Sequence, residues 1–190
     1  MSNNSPQNPL KAKVHLSQLV IVDMQTKLAA VMVPEAMQGI IKNNTILVAA
    51  ANLLDVPVLL TEQYAKGLGH SVPELLSALP NIKAVDKLNF SCMGEAKFSR
   101  QLTRDRSQIV LVGMEAHICI LQTALDMLEA GKQVFVVEDA IVSRNPAHKA
   151  NAIARMRNAG CIITNTESMV FEWLGKAEGE NFKAISQLIR

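Results

Sequence analysis

At 190 residues and 20.7 kDa, the chain has the size of one compact domain that buries roughly two-thirds of its unfolded surface. Apolar residues make up 49% and charged residues 19%, a balance that excludes a disordered chain. Nineteen bases stand against 17 acids without a basic block, and aromatics are 4%, so neither a nucleic-acid surface nor a basic membrane patch is expected.

The opening "MSNNSPQNPLKAK" is polar and has no apolar core of the kind a signal peptide needs. Residues 1–16 are expected to be a flexible tail, and 17–190 a single domain. "QLVIVDMQ" gives a first strand near Leu19–Asp23, and "NNTILVAAANLLD" an alanine- and leucine-rich helix. The apolar run "ILVAAANLLDVPVLL" is interrupted by Asn52, Asp55 and Pro57, which excludes a membrane span there. "VPVLLTEQ" is a second strand, "SVPELLSAL" a short helix, and Ala84–Lys87 a third strand. A polar helix near Glu95–Arg104 precedes the strand "QIVLVGME". "ICILQTALDMLEAGK" is a helix ending at Gly131, and "QVFVVEDA" the next strand. "PAHKANAIARMRNAG" begins with Pro146 and stops at Gly160, a proline-start and glycine-stop helix. "CIITNTE" is a last strand, followed by a helix around "SMVFEWLGKA" and a short C-terminal helix.

Strands that are continuously apolar and alternate with helices predict a parallel sheet covered on both faces. Six strands at this spacing predict a three-layer α/β/α domain. Ligands in such sheets sit beyond the carboxyl ends of the strands, where the winding reverses. Asp23 ends the first strand, Lys87 the third, and Cys119 follows the fourth. Taken singly, Asp23 also reads as a turn or cap, Lys87 as a solvated strand-end lysine, and Cys119 as a small buried hydrophobe. Together they form an acid, a cation and a thiol gathered by topology. A thiol at a helix start beside a cation is expected to ionise below its usual pKa of about 8.5. A nearby carboxylate can take its proton, and first-turn N–H groups can face an oxyanion.

Other chemistries lack their signatures. There is no GxGxxG after the first strand and no GxxxxGK[ST], so no cofactor is expected. His15, His70, His117 and His148 have no metal-ligand spacing, so no metal is expected either. His117 lies one residue from Cys119 in the intervening sense, and the two would face different sides of a helix. Cys92, Cys119 and Cys161 are widely spaced without a CxxC pair, which predicts free thiols and a cytoplasmic location.

The three strand ends resemble the isochorismatase-like cysteine hydrolases, a family that includes nicotinamidases and N-carbamoylsarcosine amidases. "IVDMQ" is similar to the family's D-x-Q element and "DKLNFSCM" to its lysine element. "LVGMEAHICILQTALDMLEAGKQVFVVEDA" is similar to its nucleophile segment, and the likeness runs from Leu19 to Thr166. "TEQYAKGLGHSVPEL" resembles the isochorismatase-domain-containing subgroup in particular. The resemblance implies a six-stranded sheet of order 3-2-1-4-5-6. It implies Asp23 as general base and acid, Lys87 as electrostatic partner and Cys119 as nucleophile. It further implies a cis peptide at Met114–Glu115, with the Glu115 and Cys119 N–H groups forming an oxyanion hole, and a homo-oligomer.

The segment "TEQYAKG" lacks the D-x-H and further histidine of the nicotinamidase metal site, which argues against nicotinamide. Cys119 argues against isochorismate, whose vinyl ether is cleaved without a cysteine. The expected reaction is hydrolysis of a small amide or carbamoyl C–N bond through a Cys119 thioester. The alternative is a redox-active or ligand-binding thiol protein of the same fold. Gln25, Glu62, Gln63, Tyr64 and Phe90 lie near strand ends and are expected to contact the substrate, although Glu62 and Gln63 also read as solvated loop residues and Phe90 as core.

Overall fold

The computed structural model describes residues 9–189. Six parallel strands form one sheet in the order β3-β2-β1-β4-β5-β6. They are β1 (Ser17–Val22), β2 (Val58–Gln63), β3 (Val85–Lys87), β4 (Gln108–Met114), β5 (Gln133–Val142) and β6 (Ile162–Thr164). The helices are α1 (Thr26–Ala29), α2 (Pro34–Leu53), α3 (Ala65–Leu68), α4 (Pro73–Ala78), α5 (Ala96–Gln101), α6 (Leu121–Glu129), α7 (Pro146–Ala159), α8 (Thr166–Leu174) and α9 (Glu180–Leu188).

The expected architecture is therefore the observed one, and the two faces of β1 show why. Leu19 and Ile21 enter one core with residues of α2, α4, α8 and α9. Val20 and Val22 enter the other with residues of α5, α6 and α7. A central strand with period-two side chains and helices on both sides must be apolar throughout, and all six residues of β1 are buried.

The chain winds outward from β1 to β3, returns to β4, and winds the other way to β6. The switch point lies between β1 and β4, where Val22 pairs with Gly113. Gly113 has φ +115°, and a Cβ there would lie 2.1 Å from the Val22 carbonyl oxygen. Only glycine permits this approach of the two strands at the place where their ends meet. The Met114–Glu115 peptide is cis.

Three boundaries differ from the sequence reading. Helix α2 starts at Pro34, nine residues before the expected "NNT", with proline in its first turn as helix starts favour. The four-residue helices α1 and α3 are too short to carry periodicity. Of the expected tail, residues 1–8 lie outside the described residues, whereas 9–16 are tied to the domain. Ala12 is buried and its N–H donates to Glu172 Oε2 at 2.6 Å, while Lys13 N–H donates to Gln108 Oε1 at 2.7 Å. No helix among the described residues is long and apolar enough to cross a membrane.

Candidate active site

Asp23 follows β1 directly and takes the left-handed conformation, φ +51°, which short acidic side chains tolerate better than most. The turn leaves its carboxylate fully buried beyond the ends of β1 and β2. Thr61 Oγ1 of β2 donates to Asp23 Oδ1 at 2.8 Å, and Lys87 Nζ at the end of β3 donates to Oδ2 at 2.7 Å. Lys87 is itself buried. Its ammonium also reaches Gln63 Oε1 at 2.7 Å and the carbonyls of Phe90 and Asn89 at 3.1 and 3.2 Å. Four acceptors thus share three hydrogens. Burial works against the charged amine, but the Asp23 charge and then the nearby thiols outweigh it, so Lys87 titrates above its ordinary value.

Cys119 arrives from the other side of the switch point. After β4 the chain makes a π-helical turn over Ala116–Ile120 and continues as α6. This widened turn carries Cys119 into the crevice, where it is buried except for a sliver of surface. Its thiol is pushed up from the ordinary value, first by burial and then by the facing Asp23 carboxylate, with Lys87 pulling the other way. This corrects the expectation of a depressed pKa. The lysine charge is already answered by Asp23, so the thiol sits in a site with no surplus positive charge. A second thiol, Cys92, lies with its Sγ 3.9 Å from Thr61 Oγ1, and burial raises it to about 11.

A cavity of about 120 Å³ opens onto Cys119, walled by Leu28, Gln63, Leu68, Phe90, Glu115 and Ile118. The five expected substrate contacts divide here. Gln63 and Phe90 line the cavity. Gln25 does not, because its amide is engaged by backbone. Its Nε2 donates to the Gln63 and Gly69 carbonyls at 3.0 and 2.6 Å, and its Oε1 accepts from Gln63 N–H at 2.7 Å. Glu62 is likewise turned to the loop, accepting from Ser71 N–H and Oγ at 2.7 and 2.8 Å and from His70 Nδ1 at 3.0 Å. Tyr64, φ +42°, stands outside the cavity wall, half in solvent. Gln25 and Glu62 together staple the 64–72 loop, and with it Leu68, against the ends of β1 and β2.

Glu115 is buried at the cavity wall. Its Oε2 accepts from the Arg144 N–H and Nε at 3.0 and 3.1 Å. His117 turns away from Cys119 to Ser143 Oγ, 3.0 Å from its Nδ1, and its ring lies 4.8 Å from that of His148. The sequence signal for Glu115 and Thr61 as side-chain partners was absent, because both pair with residues far along the chain.

A doubly wound α/β domain with a buried acid–lysine pair facing a thiol across the switch point defines a hydrolase fold of one particular kind. The isochorismatase domain family matches residues 17–168, and the chain belongs to that family. The secreted isochorismatase effector Isc1 of Phytophthora sojae is 38% identical over 184 residues, covering 93% of this chain and 85% of that protein. Among solved structures, the MAR1 ribonuclease of Caenorhabditis elegans is 37% identical with a TM-score of 0.88, covering 94% of this chain and 92% of that one. YcaC from Pseudomonas aeruginosa, solved with hexane-2,5-diol and covalent acrylamide, is 26% identical with a TM-score of 0.85, covering 95% and 92%.

Proposed function

We propose that the protein is a cysteine hydrolase that opens a small amide or carbamoyl C–N bond through a Cys119 thioester. The observation that carries this reading is the buried Asp23–Lys87 pair facing Cys119 at the foot of the cavity. Because the resting thiol holds its proton, Asp23 accepts that proton as sulfur attacks the carbonyl carbon, and a free thiolate is not needed beforehand. Lys87 keeps Asp23 oriented and offsets its charge. The developing oxyanion rests on the backbone N–H groups of Glu115 and Cys119. Asp23 returns its proton to the leaving nitrogen, the C–N bond breaks, and the acyl group remains on sulfur. Water deprotonated by Asp23 then attacks the thioester, and the acid and the free thiol are released.

The relatives' names and ligands differ in chemistry. Isochorismate is a dicarboxylate and RNA a phosphodiester, whereas the acrylamide held covalently by YcaC is a small neutral amide. The apolar cavity and the fully engaged lysine favour the last. We place the protein in the cytoplasm on its three free thiols, although the Phytophthora relative is secreted. Exposed Leu53, Leu76 and Phe171, none of which lines the cavity, support a homo-oligomer, which sedimentation velocity measures.

A screen of small amides, ureido acids and aryl amides for ammonia or amine release tests the reaction. With a substrate found, Cys119→Ala is expected to lower turnover by at least about 10³-fold while the circular dichroism spectrum is kept. Unchanged turnover in the folded variant removes the thioester mechanism.

A further inference from the structure

Charge and volume at the cavity restrict what reaches Cys119. Its volume of about 120 Å³ falls below the roughly 150 Å³ of an apolar cavity that holds benzene. An acyl group of up to about five non-hydrogen atoms therefore fits inside. Leu28, Leu68, Phe90 and Ile118 supply apolar walls. Among the described residues, no lysine, arginine or histidine lines the cavity. The nearest buried cation, Lys87, is committed to four acceptors. Arg144 is held by the Glu115 carboxylate and extends mostly into solvent. An anionic ligand would lose its hydration and find no free counter-charge, with the Glu115 carboxylate in the wall beside it. A cation gains little, since each carboxylate already has a partner.

We infer that the site selects ligands whose acyl side is small, uncharged and apolar, and rejects those with a carboxylate or phosphate near the reacting carbon. The acyl wording rests on the hydrolase reading above, but the ligand class does not. The substrate is then a small neutral amide or carbamoyl compound, and dicarboxylates are excluded.

Two alkylating agents of nearly equal size separate the charges: iodoacetamide is neutral and iodoacetate anionic. Each forms an S–C bond and releases iodide. Labelling of Cys119 in the native protein at pH 9, followed by peptide mass spectrometry, gives a rate ratio to be divided by that of glutathione. The neutral reagent is expected to be preferred at least about 30-fold beyond the glutathione ratio. A ratio equal to glutathione's overturns the inference, as does failure of the neutral reagent to label Cys119 at all. Phe90→Arg, at a half-exposed position, places a guanidinium at the mouth. It is expected to lower the iodoacetamide-to-iodoacetate rate ratio at Cys119 at least about fivefold. An unchanged ratio overturns the charge argument. These readings need no turnover, so a protein that hydrolyses no amide yet keeps the ratio refutes the hydrolase reading alone.

Discussion

At the floor of the cavity the buried acid and the buried lysine are both fully engaged. Asp23 accepts from Thr61 and Lys87, and Lys87 donates to four acceptors while only 1% exposed. At the mouth the opposite holds. Phe90 and Leu88 are 55% and 72% exposed, and neither side chain is fixed by a hydrogen bond. The floor holds one geometry, as the proposed catalysis requires, because moving Asp23 or Lys87 strands a buried charge. The mouth holds little that stability depends on, so it is where ligand preference can change without loss of fold. On the proposed mechanism, the chemistry and the selectivity of this site are built from different materials a few residues apart: Lys87 and Phe90 are separated by three positions.

The sharpest break in that contrast is at Lys87. Lys87→Met keeps the volume and leaves Asp23 a buried carboxylate without its cation, so unfolding free energy should fall by about 3–5 kcal/mol. Adding Asp23→Asn to it removes the stranded charge and should recover most of that loss. Urea unfolding of the single and double variants measures both, and equal losses in the two would deny that the pair is electrostatically coupled. Asp23→Asn alone acts on the thiol. The carboxylate raises Cys119, so its removal lowers the thiol pKa towards Lys87's pull. The midpoint of the iodoacetamide pH profile should move to lower pH, with labelling at pH 8 faster by about threefold or more. Hydrolysis should meanwhile be lost, because the proton acceptor is gone. A variant that is more reactive as a thiol and inactive as an enzyme separates Asp23 as base from Asp23 as scaffold.

Much of the floor was legible in the sequence, and for a physical reason. A strand buried on both faces is apolar throughout, so Asp23, Lys87 and Cys119 stand out at the ends of such runs, and parallel topology gathers strand ends. The direction of the Cys119 shift was not legible. It depends on how deep the thiol is buried and on whether the lysine is already paired, and both follow from packing rather than spacing. Gln25 and Glu62 were misplaced for a similar reason. A polar side chain near a strand end faces substrate or loop depending on where a segment up to 44 residues away folds back. Their partners in the 64–72 loop take the hydrogen bonds that a substrate contact would need. Gly113 carried a clearer signal: a glycine inside an otherwise aliphatic strand marks a close backbone approach, here to Val22.

The smallest expected effect is the one that sharpens the mouth. Phe90→Ala removes a cavity wall whose side chain is mostly in solvent, so stability should stay within about 0.5 kcal/mol of the parent. Lys87 uses the Phe90 carbonyl rather than its ring, so the floor keeps that contact in the variant. The lost wall contacts bind substrate and transition state alike, which raises KM and leaves kcat nearly unchanged. A fall in kcat with KM constant would instead mean that the ring orients the carbonyl towards Cys119. In that case the mouth shares the chemistry of the floor, and the division of labour between them fails at the residue where it should be cleanest.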